Sequence, residues 1–157
     1  MATEACELNE VAEIARPIVE RVVWATVTTV SPEGEPRSRL MHPVWWWDGP
    51  VPTAVVSARP TPIKVRHLAA NSAVSCSYWD PAHDTVTIDA VARWIDAADR
   101  HDAWERVKAV PEPVGFDPAM IWKDGPTSPD CAFLHLTARR IVATPAGMTG
   151  RRWSAAG

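Results

Sequence analysis

Apolar and polar positions alternate along this chain in short runs, most of them too brief for long helices. Leu8, Val11, Ile14 and Ala15 recur at helical spacing with Glu7, Glu10 and Glu13 between them. That pattern predicts an amphipathic first helix, which Pro17 ends or kinks near Arg16. Val22 to Val30 is rich in β-branched residues and reads as a strand. Ser31-Pro-Glu-Gly-Glu-Pro36 is a turn, because Pro32 presets its own φ and Gly34 accepts a positive one. The chain returns as Arg37 to Trp47, turns at Asp48-Gly49-Pro50 and runs back as Val51 to Ala58, a three-strand meander.

Pro60 and Pro62 then interrupt pairing, and Ile63, Arg66, His67 and Ala70 predict a short helix over 62–71 with Pro in its first turn. Strands are expected over 73–79 and 85–95, joined by the turn 80–84. Asp96 reads as the N-cap of a helix over 97–110. Residues 111–130 read as irregular, with one helical turn at 118–122, and 131–144 as a last long strand. Tight turns between strands and only two useful helices suggest a closed antiparallel barrel with peripheral helices.

Composition narrows the function classes. The chain has 157 residues, 46% hydrophobic and 22% charged, with a net charge of -3. This fits one globular domain over 1–157, its core about 8–145 and a short C-terminal tail 146–157. The sequence pI near 5.9 gives no global reason to bind nucleic acid or an anionic membrane. No apolar run reaches the ~20 residues needed to cross a bilayer, and the acidic start lacks a signal-peptide pattern. Cys6, Cys76 and Cys131 are few and far apart, so they read as reduced thiols of a cytoplasmic protein, Cys76 and Cys131 within strands.

Local charge changes the picture. From Arg37 to His67 there are five cations (Arg37, Arg39, Arg59, Lys64 and Arg66) against one acid, Asp48; from Met1 to Glu35 there are two cations and seven acids. The cationic stretch spans a strand, its neighbour and the loop entering a helix, whose N-terminus adds free N–H groups. A phosphate suits such a place, with Lys64 in the first helical turn; the plainer reading is a solvated barrel face. Strand alternation puts Arg37, Arg39, Met41, Pro43, Trp45 and Trp47 on one side. That face suits a planar anionic ligand, unless its tryptophans belong to the core or to a subunit contact. No GxGxxG or Walker loop, nucleophile elbow or metal spacing of histidines is present.

The succession A-T-V-T-T-V, S-P-E-G-E-P, R-S-R-L-M-H-P, W-D-G, K-V-R-H-L-A-A-N and V-S-C-S-Y-W resembles the pyridoxamine 5'-phosphate oxidase-like split-barrel family, which includes flavin- and deazaflavin-dependent oxidoreductases. The likeness covers 22–94 and extends loosely to Pro145. It implies a mainly β fold, a six- or seven-stranded antiparallel split β-barrel forming a homodimer with cofactor sites at the subunit interface. It also implies FMN, or alternatively the deazaflavin coenzyme F-420, held by Arg39, Leu40, Met41, His42, Val56, Ser57, Arg59, Ile63 and Lys64. Lys64 is the best-matched phosphate ligand; Asp84 to Thr87 would approach the partner's site. Arg59, Arg66 and His67 are the cations available for the acidic tail of a deazaflavin. The substrate motif of the true oxidase is not recognisable, so pyridoxamine phosphate is not carried over. The function this implies is hydride or electron exchange with a small molecule, with a non-catalytic flavin- or haem-binding protein as the other class.

Overall fold

A computed structural model of the chain describes residues 2–156. Nine strands occur among them: β1 (Thr3–Ala5), β2 (Ala25–Val30), β3 (Pro36–Met41), β4 (Pro43–Trp46), β5 (Thr53–Ser57), β6 (Ala73–Trp79), β7 (Thr85–Trp94), β8 (Phe133–Thr144) and β9 (Gly150–Ser154). Three α-helices, α1 (Leu8–Val22), α2 (Pro62–Ala70) and α3 (Arg100–Lys108), surround them. None is long and apolar enough to cross a membrane.

Pairing runs β1-β9-β8-β7-β6-β2-β3, while β5 joins β8 and β4 joins β5. Strand β8 serves two neighbours along one edge: 133–137 face β5 and 140–143 face β9. The expected strand 37–47 is really two. Arg37 to Met41 pair with β2, whereas Pro43 to Trp46 pair with β5. His42 is the switch between them, followed by Pro43, which has no N–H to give to a ladder. The barrel is therefore split rather than closed by hydrogen bonds, with its circuit carried covalently through His42. Two hairpins are present as expected, but they share a divided strand, so the simple meander does not form. The sheet is also mixed, because β1 and β9 pair in parallel.

The core lies inside this barrel. Val27, Met41, Trp45, Val56, Cys76, Tyr78, Ile88 and Leu136 meet there, with the indole N–H of buried Trp45 donating to Tyr78 Oη at 2.8 Å. Helix α1 closes one side with Val11, Ala15, Ile18 and Val19. Pro17 does not end it. This apolar stripe continues beyond the proline, and Pro17 itself is exposed, so the freed carbonyl of Glu13 can be hydrated. A second apolar cluster forms outside the barrel, where Ala103, Trp104 and Val107 of α3 meet Val44, Val55, Trp122 and Phe133.

Other differences are local. The tail is not structureless, since β9 adds Gly150–Ser154 to the sheet. Asp96 and Asp99 stand at the starts of a 3-10 turn and of α3, but neither side chain makes a capping bond. Cys131 is buried in the loop before β8 rather than in it.

Candidate functional site

A cavity of about 450 Å3 opens where β3 meets the β5–α2 connection. Arg39, Leu40, Met41 and His42 come from β3 and its junction with β4. Ser57 and Ala58 end β5, and Arg59, Thr61 and Lys64 follow through the loop and first turn of α2. Val56 and Ile63, expected at this site, are elsewhere. Val56 is a fully buried barrel residue, because alternation along β5 turns it inward while Ser57 faces the cavity. Ile63 projects from α2 beside Pro62 and Arg66 into a neighbouring groove.

The electrostatics are one-sided. Lys64 is 9% exposed and is the sole buried lysine or arginine among the described residues. Burial, and then the charge of Arg39, lowers its pKa. Arg39 is half-buried and is likewise lowered by burial; its guanidinium donates to Thr29 Oγ1 at 3.0 Å. Thr29 in turn shares a 2.9 Å hydrogen bond with His67 Nδ1. Among the described residues neither Arg39 nor Lys64 has a carboxylate within ion-pair distance, and no Asp or Glu lines the cavity. A buried and a half-buried cation with no anion between them are costly as they stand, and an anionic ligand would offset that cost.

Two more groups lack partners. Ser57 Oγ and Trp122 Nε1 are buried with no hydrogen-bond partner, and both residues line the cavity. Buried polar atoms of this kind are rare in native proteins. The N-terminus of α2 adds to the donor set, because Thr61 makes no side-chain cap for the first-turn N–H groups; Pro62 itself has none to give. Unsatisfied donors thus predominate here. They suit a ligand rich in acceptors: a phosphate, and ring carbonyls or ring nitrogens.

The remaining wall was not legible in the sequence. Phe116, Met120, Ile121 and Trp122 reach the cavity from the irregular segment, and Trp24 from the α1–β2 link. His42 ties the two together. Its Nε2–H donates to Val114 O at 2.7 Å, and its ring lies between Trp24 and Phe116, with centroids 5.3 and 4.7 Å away. Burial lowers the His42 pKa, partly opposed by the Val114 contact, so the ring is neutral and occupied in holding the wall. Gly115 allows the turn beneath it. A Cβ there would stand 2.0 Å from Val110 O. The signal available in the sequence was the spacing of apolar residues within 116–122, which no helical or strand period organises.

Three groups of residues take the plainer of the roles open to them. Trp45 is a core residue through its bond to Tyr78, and Trp47 packs half-buried against the same core. Arg37 and Arg66 pair with Glu35 and Glu33 on the surface. His67 is buried against Thr29, and the groove it lines also carries Glu33 and Glu35, which would repel a polyanionic tail.

The same architecture recurs in solved structures. A Clostridium acetobutylicum protein related to general stress protein 26 of B. subtilis, of the pyridoxinephosphate oxidase family, superposes with a TM-score of 0.74 at 16% identity, over 95% of this chain and 96% of the other. A heme-binding protein from Mycobacterium smegmatis gives 0.68 at 18%, over 92% of this chain and 57% of the other. A pyridoxamine 5'-phosphate oxidase-related, FMN-binding protein from Nostoc punctiforme gives 0.60 at 12%, over 92% and 86%. An F420 reductase gives 0.51 at 19%, over 80% and 94%. At these identities the likeness is one of fold. No curated protein matches the chain. The pyridoxamine 5'-phosphate oxidase family, in contrast, matches its sequence over residues 12–144, and the chain belongs to that family.

Proposed function

We propose that this protein is a flavin-type oxidoreductase that holds FMN by its phosphate and exchanges hydride or electrons with a small molecule. The observation that supports the reading is the anion-free pair of buried Lys64 at the start of α2 and half-buried Arg39 on β3. On this reading Lys64, Arg39 and the free N–H groups of α2 bind the phosphate. Ser57 and Trp122 supply hydrogen bonds to the ring's acceptor edge, and Leu40, Met41 and the aromatic wall exclude water. FMN would supply the redox chemistry, and the protein would bind, orient and shield it.

The coenzyme F-420 is the second reading, supported by the F420 reductase among the structural neighbours. The cations expected for its acidic tail are largely engaged: Arg59 lies 3.4 Å from Asp130, Arg66 is paired with Glu33 and His67 is buried. FMN is therefore the better fit. A haem carrier is less well supported, because the cavity's histidine, His42, spends Nε2 on Val114. The proposal includes a homodimer, in which a second copy covers the exposed Leu40, Ile63 and Val65 on the β3–α2 side.

The test is to measure the visible spectrum of the purified protein and titrate apoprotein with FMN, F-420 and haem in parallel. FMN is expected to bind tightest, and Lys64→Ala and Arg39→Ala to weaken it. Unchanged FMN affinity in both variants would remove the site assignment. Bound FMN that no nicotinamide or other tested donor reduces would make the protein a carrier instead.

A further inference from the structure

The link between α1 and β2 is strained, and the strain presents an indole to the cavity. Val23 has φ 67° and ψ -57°, and Trp24 N–H donates to Val22 O at 2.8 Å. This is a γ-turn of the unfavourable hand, centred on a β-branched residue for which positive φ is a true outlier. Such outliers persist where the surrounding structure over-determines them, and they concentrate at ligand-binding sites. Here the turn delivers Trp24, which is 56% exposed on the cavity rim with its ring against His42. His42 cannot drift, being fixed to Val114 and Phe116. The indole is thus held from behind while most of it faces solvent, unlike Trp45 or Trp104, which are core-buried.

We propose that Trp24 is a stacking platform for a second ligand, and that this ligand is flat, conjugated and uncharged. The proposal rests on the reading that Lys64 and Arg39 take the cofactor phosphate. Once they do, much of the remaining rim is apolar, with Met120 75% and Ile121 42% exposed on the cavity that Trp24 also lines. An ionised acid would then find no free cation apart from Arg59, which already has Asp130. A protonated amine would find no carboxylate at all on the cavity wall. Flat conjugated molecules meet an indole face favourably, and the exposed apolar rim covers their other surface.

The probe is menadione, a flat uncharged naphthoquinone, titrated calorimetrically into the protein before and after FMN loading, with pyridoxamine 5'-phosphate as the charged comparison. Menadione is expected to bind more tightly than pyridoxamine 5'-phosphate to the FMN-loaded protein. Trp24→Ala should weaken menadione by about tenfold, the scale of one lost stacking contact. Trp24→Phe should keep most of the binding. Val23→Gly, which relieves the strained φ, should fold normally yet bind menadione less well. Equal menadione affinity in Trp24→Ala and wild type would overturn the platform, and tighter binding of pyridoxamine 5'-phosphate would overturn the ligand class. Failure of FMN to load would instead strike the cofactor reading, while the titration of unloaded protein would still decide Trp24.

Discussion

Two groups of cations in this molecule are treated in opposite ways. At the end of α1, Arg21 reaches Asp80 at 2.5 Å and Asp84 at 2.9 Å, tying the helix to the β6–β7 hairpin. Asp80 also accepts from Ala82 N–H, and Asp84 from Ala146 N–H. The Arg21 hydrogen bond holds the Asp80 carboxyl below its ordinary range. Every charge there has a partner, and the cluster joins three segments. At the start of α2, Lys64 is more deeply buried than Arg21 but has no carboxylate partner, and the charge that acts on it is that of another cation, Arg39. On the proposed reading the first cluster serves stability and the second binding.

Exchanging the two roles by mutation gives the largest contrast. Lys64→Met removes a buried, unpaired charge while keeping the length of the side chain. FMN affinity is expected to fall by roughly 10- to 100-fold, the scale of a lost charge-assisted hydrogen bond. The apoprotein should melt about 2–4 °C higher, the response of a domain this size to relief of ~1 kcal/mol. Titration and thermal unfolding of the same preparation read both signs. A variant that binds less well and also melts lower would mean that Lys64 is structural.

Arg21→Ala should do the reverse on a smaller scale. The melting temperature should fall and FMN affinity should stay at the wild-type value, since the Arg21 cluster lines a different groove. The fall should shrink in high salt, because the arginine is half exposed. Weaker FMN binding in Arg21→Ala would merge the two clusters that the structure keeps apart.

The smallest effect is a pH response of the wall beside Lys64. Burial lowers the His42 pKa, and burial with Arg93 and Arg106 lowers that of His135. In that window the unfolded chain takes up protons that the folded one resists, so both histidines contribute stability that is full above about 6.5 and is lost as pH falls through their depressed folded values. Thermal unfolding between pH 7.5 and 5 should show this loss. His42→Gln, which keeps a donor for Val114 O, should show less of it, with the remainder due to His135. Parallel pH profiles in variant and wild type would contradict a half-buried His42 whose pKa is lowered.

Much of this contrast was written in local sequence. The β2–β3 and β4–β5 hairpins, the start of α2 at Pro62 and the strands β6 to β8 follow from turn residues and short-range period. Local charge picked out Lys64 and Arg39, and the family resemblance added Leu40 to His42 and Ser57. What escaped was decided at long range. Pro17 was overridden by a buried helix face, and Arg37 to Trp47 was divided because β2 and β5 compete for its two halves. Val56 and Ser57 are adjacent, and one step of strand register sends only the second to the cavity. Phe116 to Trp122 acquire their role through His42 and Val114, which lie 72 residues apart. No window of sequence short enough to show periodicity contains that pair.

Lys64 at the start of α2 and Arg39 on β3 are proposed above as an FMN phosphate site. The most direct measurement is thermal unfolding of wild type and Lys64→Met at pH 7.5, each with and without saturating FMN. Ligand that binds only the folded state raises the melting temperature by mass action. The account requires a clear rise for wild type and a much smaller one for Lys64→Met at the same FMN concentration. Equal rises in both proteins, or none in wild type, would contradict it.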